Sequence, residues 1–419
     1  MDELRIRGGT ALVGTVPTSG SKNSSLAILI ASLLCEEACI FSDIPRLQDV
    51  ESLLELLNYL GVFSEVVEAD LRSIRLSPEK VGFFEVPDTL AQKTRASIWV
   101  LGPLLARFGK AIVSLPGGCV IGARPVEMHL EGLTQLGAQI ELKNGGIHAF
   151  LPQGRFQGRH VALRFPSVGA TINLMLAATL AEGVCVLENV ACEPEIEDLA
   201  QALQALGACI EGAGTSQIRI QGVSRLRGGS YQVMKDRIEA GTFLIAGFLT
   251  GGRVKVQSIP RHCLGALLMK LDQAGAKLTY DADGIVIEGG RPQATSMTTL
   301  PYPGFPTDLQ AQFMSLMTLA QGSSCITETI FENRFMHVSE LVKLGASIQV
   351  RGNQAFVQGV NFLQGADVLA TDLRASASLI LGGLCASGET RIGGLHHLDR
   401  GYESIEKKLQ GLGANIKRC

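Results

Sequence analysis

Six copies of one sequence pattern run along the whole chain, and this periodicity constrains the fold more than any other feature. In each copy a leucine-rich helical segment ends at a glycine, and an apolar, strand-like segment follows, as in LTQLGAQIEL and LVKLGASIQV. The glycines are residues 61, 137, 207, 275, 345 and 413, at spacings of 76, 70, 68, 70 and 68 residues. A glycine in this place is typical of a helix end that turns into a strand. The pattern predicts six α/β units of about seventy residues each.

In five units a second glycine lies in a turn between an apolar helix and a β-branched strand. It stands 23 to 28 residues before the helix-ending glycine of the same unit. Each unit therefore contains a helix, a strand, a second helix and a second strand. Such units are larger than solenoid repeats, which favours packing three and three into two domains. We predict residues 22–233 as one domain and residues 1–21 plus 234–419 as the other. The opening segment Leu4 to Val16 has no strand partner in its own unit and could pair in either domain.

Charged residues recur fourteen positions before the turn between the first helix and the first strand of each unit. The first helix is expected to begin at this position, which we call the repeated frame. This position is occupied, unit by unit, by Asn23 (beside Lys22), Arg95, Gly169, Arg237, Asp308 and Arg374. The start of a helix favours anions over cations. Three arginines in this frame therefore predict a concave site where helix ends converge on negative charge. The alternative is pairing with nearby acids such as Asp236, Glu239 and Asp372.

The segment SLPGGCVIGARPVEMH holds the one cysteine outside an apolar pattern, Cys119. A free thiol titrates near 8.5, so it can donate a proton when a substrate demands one. Arg124 would favour the thiolate if the loop folds back. The alternative is an incidental surface cysteine.

Composition and motifs exclude several classes of protein. A net charge of −3, from 37 basic and 40 acidic residues, offers no track for a nucleic acid. The longest apolar stretch has ten residues, too few for a membrane span, and a signal-peptide pattern is missing, so we expect a cytoplasmic protein. The cysteines and histidines lack metal-ligand spacings, which predicts no metal. GTVPTSGSKNS fails the Walker A spacing, and PGGCVIG is not GxGxxG.

Nine segments together closely resemble the UDP-N-acetylglucosamine 1-carboxyvinyltransferases, over essentially the full length. They are SGSKN, RASIW, LPGGCVIGARPVEMH, SVGAT, DRIEAGTF, FPTDLQAQF, TETIFENRFMHV, TDLRASASL and HLDRGYESIE. The resemblance implies an α/β fold, a two-domain inside-out α/β barrel built from six repeats, with the active site in the interdomain cleft. It implies enolpyruvyl transfer from phosphoenolpyruvate to the 3-hydroxyl of UDP-N-acetylglucosamine (UDP-GlcNAc), with no metal or organic cofactor. The expected partners are these two small-molecule substrates, with no nucleic acid and no membrane.

The same resemblance implies roles for individual residues. Cys119 matches the general acid that protonates C3 of phosphoenolpyruvate and can form a covalent adduct, and Asp308 matches the candidate general base. Lys22 and Arg400 complete the implied catalytic set. The residues implied to bind phosphoenolpyruvate are Lys22, Asn23, Arg124, Arg334, Arg374 and Arg400. The residues implied to bind UDP-GlcNAc are Asn23, Arg95, Arg124, Pro125, Val126, Glu127, Met128, Ser167, Val168, Gly169, Asp308 and Ile330.

Two positions depart from the family pattern. Phe165 stands where a lysine is common, which weakens a diphosphate or ribose contact unless Arg164 substitutes for it. Glu127 replaces a usual aspartate, a milder change if the contact is made by the backbone. Neither position matches one that touches the reacting centre.

Three other functions remain open at this point. A 5-enolpyruvylshikimate-3-phosphate synthase would share the donor and architecture, but that family lacks the PGGC loop. A non-catalytic UDP-sugar-binding sensor would keep the fold without turnover. A phosphate-recognising RNA-processing enzyme of similar repeat architecture would need a basic track, which the charge balance does not provide.

Overall fold

The chain folds into two units, each with its own core. The structure is a computed structural model and describes residues 2–67, 70–117 and 126–419. We call residues 20–234 the central unit, and residues 2–19 together with 235–419 the terminal unit, in both cases within the described ranges.

The described residues contain fourteen α-helices. They are α1 (Lys22–Ala31), α2 (Gln48–Leu60), α3 (Asp88–Ala91), α4 (Leu101–Phe108), α5 (Glu127–Gln135), α6 (Val168–Ala178), α7 (Pro194–Ala205), α8 (Arg237–Leu249), α9 (Gly265–Gln273), α10 (Gln310–Met317), α11 (Val338–Lys343), α12 (Leu373–Cys385), α13 (Leu395–Leu398) and α14 (Ile405–Gly411). Short 3-10 helices cover Ser32–Leu34, Arg95–Val100, Arg261–Leu264 and Thr307–Leu309. Among these described helices, none is both long and apolar enough to cross a membrane.

The strands are short and distributed along the chain. They are β1 (Leu4–Arg7), β2 (Val13–Pro17), β3 (Cys39–Ser42), β4 (Phe63–Val66), β5 (Ile74–Ser77), β6 (Glu85–Val86), β7 (Lys110–Ser114), β8 (Gln139–Lys143), β9 (Gly146–Phe150), β10 (His160–Ala162), β11 (Val184–Glu188), β12 (Cys209–Glu211), β13 (Gln217–Gln221), β14 (Gly229–Gln232), β15 (Arg253–Gln257), β16 (Lys277–Asp281), β17 (Gly284–Glu288), β18 (Met297–Thr298), β19 (Ser323–Thr327), β20 (Ser347–Arg351), β21 (Gln354–Gln358), β22 (Leu363–Gln364), β23 (Asp367–Leu369), β24 (Ala386–Ser387), β25 (Glu389–Gly393) and β26 (Asn415–Arg418).

Six four-stranded sheets share one arrangement, in which the first pair of strands is parallel and the next two pairs are antiparallel. The central unit holds the sheets β14-β3-β5-β4, β6-β7-β9-β8 and β10-β11-β13-β12. The terminal unit holds the sheets β2-β15-β17-β16, β18-β19-β21-β20 and β23-β25-β1-β26, together with the small pair β22-β24. Each sheet is separate from the others, and the described strands do not form a closed barrel.

The two opening strands join different sheets of the terminal unit. β2 pairs in parallel with β15, whereas β1 lies between β25 and β26, with Leu4 opposite Arg418. In the other five sheets the third and fourth strands follow each other along the chain. In this sheet the third strand comes from the N-terminus, so the sheet joins the two ends of the described chain.

The first helices of the repeated units form the interior. Nearly every side chain of α1 and α6 in the central unit, and of α8, α10 and α12 in the terminal unit, is buried. A helix that is apolar on all sides belongs inside a core. These buried helices fix the positions of their own N-terminal residues, which carry the charges of the repeated frame.

The six glycines of the repeated pattern all adopt left-handed backbone conformations, with φ between 92° and 115°. The prediction that they end helices is confirmed at Gly61, which caps α2. Left-handed backbone is costly for a residue with a Cβ atom. The local requirement explains why glycine recurs at this place.

Replacing Gly207 by alanine is expected to lower the free energy of unfolding by about 1 kcal/mol. Its φ is 107°, and an added Cβ would meet nothing within 4 Å, so the cost arises from the backbone alone. Gly265→Ala is the matched control, because that glycine is also open within 4 Å but has a right-handed backbone. Urea unfolding of both variants measures the difference. Equal destabilisation would contradict the backbone explanation.

Candidate active site

The predicted helix starts are confirmed at all six positions of the charged frame. Asn23, Gly169 and Arg374 are second residues of their helices, Arg95 and Arg237 are first residues, and Asp308 lies in the 3-10 helix Thr307–Leu309. In five of these helices the capping side chain accepts a hydrogen bond from a backbone N–H of the first turn; these caps are Ser21, Thr94, Ser167, Asp236 and Asp372.

In the terminal unit, the Asp308 carboxylate is held by two arginines. Nη2 of Arg334 lies 3.0 Å from Oδ1 of Asp308, and Nη2 of Arg374 lies 2.8 Å from Oδ2. The side chains of the arginines are only 3% and 4% exposed, whereas that of Asp308 is 26% exposed. The structure therefore joins three of the predicted site residues into one cluster.

The charges of this cluster depend on one another. Burial by itself would lower the pKa of Arg374, but the negative charge of Asp308 raises that pKa above its usual range. Tyr402 and Asp236 contribute in the same direction. The contact between Arg374 and Asp308 joins the start of α12 to the 3-10 helix Thr307–Leu309, which precedes α10. Helix starts from different repeats thus meet within this unit.

Among the residues that the structure describes, the guanidinium of Arg374 does not pair with the nearby acids that the sequence offered as alternative partners. Asp372 accepts hydrogen bonds from the backbone N–H groups of Arg374 and Ala375, so it caps α12. Glu239 pairs instead with Lys408, at 2.6 Å. The acid that binds the Arg374 guanidinium is Asp308, which belongs to the same repeated frame.

A buried network of polar side chains contacts the cluster of Asp308, Arg334 and Arg374. The Tyr402 hydroxyl lies 2.9 Å from Oγ1 of Thr242 and accepts a hydrogen bond from Nε2 of Gln312 at 3.1 Å. Gln312 also donates to the backbone carbonyl of Asp308 at 2.9 Å. The Tyr402 ring centre lies 5.7 Å from the Arg374 guanidinium carbon. The network ties α8 and α10 to both members of the ion pair.

A buried carboxylate positions the segment that carries Ile330. Oε1 of Glu328 accepts hydrogen bonds from the backbone N–H groups of Ile330 and Phe331, at 2.7 and 3.2 Å. Its other oxygen accepts one from Oγ1 of Thr307 at 2.9 Å, next to Asp308. Sequence reasoning missed Glu328. Its only signal was its place within the segment TETIFEN, which alone does not distinguish it from Glu332.

Arg400 is half-buried and follows α13. Burial, together with the charges of His396 and Arg400, lowers the pKa of His397, whereas Asp372 opposes this shift. The charges of Arg400 and of Asp372, the cap residue of α12, therefore both act on His397. Direct contact with Asp308 is seen for Arg334 and Arg374, and the role of Arg400 stays a prediction.

In the central unit, Lys22 lies at the start of α1 with its Nζ atom 2.8 Å from Oδ2 of Asp49. Both side chains are largely buried. Asn23, the next residue, is half-buried. Sequence reasoning missed Asp49, which stands in the first turn of α2 and shows no motif. Arg95 donates from Nη1 to the carbonyl oxygen of Gly117 at 3.3 Å.

The starts of two further helices of the central unit meet at His129. A Cβ atom on Gly169 would lie 3.2 Å from the imidazole of His129 and from Nε1 of Trp99, so this close approach favours glycine. Nδ1 of His129 lies 3.2 Å from Nδ2 of Asn173. The other predicted nucleotide-sugar residues described in this unit lie at the starts of α5 and α6; they are Val126, Glu127, Met128, Ser167 and Val168.

Three predicted residues lie outside the described residues. These are Cys119, Arg124 and Pro125. Within the described part of the chain, no group of three or more His, Cys, Asp or Glu side chains could hold a metal ion.

The unfolding free energy is expected to fall as the pH is lowered from 6.5 to about 4. Burial lowers the pKa of both His129 and His337 from 6.5 to about 4. In this window the unfolded chain binds protons that the native state does not, so acid favours unfolding, by at most about 3 kcal/mol per histidine. Urea unfolding at several pH values measures the slope, which His129→Gln should reduce. An unchanged slope in that variant would contradict the assignment to His129.

Comparison with known proteins defines the class first. Residues 6–409 match the EPSP synthase (3-phosphoshikimate 1-carboxyvinyltransferase) family. The crystal structure of the enolpyruvyl transferase NikO from Streptomyces tendae superposes with a TM-score of 0.90 at 26% identity, covering 100% of this chain and 99% of that one. The fold is therefore the mixed α/β fold of EPSP synthase-like enolpyruvyl transferases.

Curated relatives define the family more narrowly. The chain is 52% identical over 420 residues to the UDP-N-acetylglucosamine 1-carboxyvinyltransferase of Shewanella sediminis (strain HAW-EB3), covering 100% of both chains. It is also 52% identical over 423 residues, with the same coverage, to that of Xylella fastidiosa (strain 9a5c). The chain belongs to the UDP-N-acetylglucosamine 1-carboxyvinyltransferases, and it is an enzyme of the transferase class.

Proposed function

We propose that this enzyme transfers the enolpyruvyl group of phosphoenolpyruvate to the 3-hydroxyl of UDP-GlcNAc and releases phosphate. This reaction is the first committed step of peptidoglycan synthesis, and through it the enzyme would serve cell-wall formation, cell shape and division. The observation that carries the proposal is the Asp308 carboxylate between two buried arginines, in a full-length member of this family.

The donor requires several cationic partners, because phosphoenolpyruvate carries close to three negative charges. Charge-assisted hydrogen bonds contribute about 1.5–3 kcal/mol each. Arg334 and Arg374 are assigned to its carboxylate. The other groups assigned to the donor and to the departing phosphate are Lys22, Asn23, Arg124 and Arg400.

The addition step needs a base and an acid. The 3-hydroxyl oxygen of the sugar bonds to C2 of phosphoenolpyruvate, and its proton passes to Asp308. The Cys119 thiol gives a proton to C3, which becomes a methyl group. Elimination then breaks the bond between C2 and the phosphate oxygen, and the Cys119 thiolate takes back a proton from that methyl group, which restores the double bond. The proton held by Asp308 leaves with the phosphate, so both residues return to their starting states. No step requires a metal or an organic cofactor.

The acceptor is assigned to residues of the central unit and to two groups of the terminal unit. In the central unit these are Asn23, Arg95, Val126, Glu127, Met128, Ser167, Val168 and Gly169, and the assignment also includes Arg124 and Pro125. In the terminal unit they are Asp308 and Ile330. Backbone N–H groups at the start of α6 suit a diphosphate. The location of the site between two domains, and the inside-out barrel architecture, remain predictions from the family resemblance.

The departure at Phe165 fits a changed contact to the nucleotide. Its side chain is 43% exposed, just before the cap of α6. Arg164 pairs with Glu131 at 3.0 Å, on exposed side chains. Such a surface pair is weak, so Arg164 can exchange it for a diphosphate.

A cytoplasmic location of the enzyme remains a prediction from the sequence.

The test is phosphate release from phosphoenolpyruvate with each acceptor in turn. Release is expected with UDP-GlcNAc and not with shikimate 3-phosphate, and mass spectrometry should show enolpyruvyl-UDP-GlcNAc. Release with shikimate 3-phosphate alone would support the sister activity. Tight binding of UDP-GlcNAc without any turnover would support the non-catalytic sensor.

A further inference from the structure

The two arginines around Asp308 have few means of leaving it. Their side chains are almost fully buried, and the guanidinium carbon of Arg334 lies 5.5 Å from the ring centre of Phe331. The backbone of Arg374 is fixed by its hydrogen bond to the cap residue Asp372 at 2.8 Å. Buried guanidinium groups without an anion would be strongly destabilising, because each keeps its charge at any ordinary pH. A carboxylate beside the two arginines therefore stabilises the site.

Asp308 occupies a position of the repeated frame, and its carboxylate acts differently from those of the two nearby capping acids. The carboxylates of Asp236 and Asp372 cap α8 and α12, so displacing them would uncap a buried helix. The Asp308 carboxylate bonds to side chains 26 and 66 residues away in the chain. It is also the most exposed member of its cluster, at 26%. A ligand arriving from solvent thus meets the carboxylate before the arginines.

We infer that Asp308 is a displaceable internal counter-ion, which occupies the place of the donor's carboxylate until phosphoenolpyruvate binds. The inference rests on the proposed function, since it takes the arginines as the donor's carboxylate site. When the donor binds, each arginine exchanges the Asp308 oxygen for an oxygen of the donor. The number of buried cation–carboxylate pairs stays the same, so the exchange avoids leaving a charge unpaired.

The exchange of carboxylates at the arginines also controls the basicity of Asp308. A carboxylate that holds two guanidinium groups is a weak acceptor of further protons, because a proton would weaken both ion pairs. Once displaced, Asp308 regains its basicity and can take the proton of the sugar hydroxyl. Proton abstraction then occurs only when the donor is present. Asp308 would therefore compete with the donor before it assists the reaction.

The first test is equilibrium binding of phosphoenolpyruvate without UDP-GlcNAc, in a Cys119→Ser background that prevents a covalent adduct. A residue that only contacts substrate would lose affinity on substitution. Asp308→Asn is expected instead to bind phosphoenolpyruvate roughly tenfold tighter, since the competing charge is gone. Glu332→Gln is the matched control, because it removes one exposed negative charge two residues from Arg334. Equal or weaker binding by Asp308→Asn, or an equal gain in the control, would overturn the inference.

A second measurement uses the intact acid and covers the case in which Asp308→Asn fails to fold. A crystal structure of the Cys119→Ser protein with phosphoenolpyruvate bound should show both Asp308 oxygens beyond ion-pair distance from Arg334 and Arg374. Retention of both ion pairs beside the bound ligand would overturn the inference. Phosphate release by the unmodified enzyme tests the proposed function separately, so the two failures are distinguishable.

Discussion

Replacing Asp308 by alanine is expected to lower kcat by roughly 10²- to 10⁴-fold, the usual contribution of a general base. The sugar hydroxyl then has no carboxylate to take its proton during addition to C2. The KM for phosphoenolpyruvate should not rise, because Arg334 and Arg374 remain available to the donor's carboxylate. Phosphate release at saturating concentrations of both substrates measures kcat, and titration of each substrate separates kcat from KM.

The variant Asp308→Asn distinguishes the loss of the base from the loss of side-chain volume, which occur together in Asp308→Ala. The amide fills the same space but cannot accept the proton, so its kcat should fall as far as that of Asp308→Ala. Thermal unfolding and circular dichroism measure whether each variant is folded. A normal kcat in either variant would refute the role of Asp308 as the base. Near-normal activity in Asp308→Asn alone would make the role one of space filling.

Local backbone requirements made the repeated framework predictable. The glycine that ends a helix must adopt a left-handed φ, and this requirement depends on its immediate neighbours alone. The glycines at 207 and 275, with φ of 107° and 93°, satisfy it at the predicted positions. The starts of the first helices were predictable for a similar reason, because capping side chains mark them.

Contacts between distant parts of the chain were not predictable in the same way. The sequence left open where the opening segment pairs, since a short strand carries no mark of its partner. It also placed Asp308 and Arg374 in one frame without indicating that they bond directly. That contact depends on how α10 and α12 pack, and it spans 66 residues. Asp49 and Glu328 were missed because an isolated acid in a helix or loop resembles many solvated ones.

Replacing Cys119 by alanine is expected to reduce turnover by roughly 10²- to 10⁴-fold and to abolish alkylation by a small epoxide such as fosfomycin. A thiol is acidic enough to protonate C3 of the donor, and its thiolate is the nucleophile that opens an epoxide. Alanine can do neither. Phosphate release measures the first effect, and mass spectrometry of the intact protein measures the second as the loss of a single adduct.

The other cysteines provide the controls for this assignment. Burial raises the pKa of Cys385 to about 12, so it holds almost no thiolate at neutral pH. Cys209 and Cys419 are exposed, which makes them the sites that unselective chemistry would label. Cys209→Ser should therefore retain both turnover and the epoxide adduct. Because exposure alone cannot explain an adduct confined to Cys119, such an adduct requires cationic surroundings that favour the thiolate. Persistence of the adduct in Cys119→Ala would place the nucleophile on another cysteine and would contradict the catalytic role of Cys119.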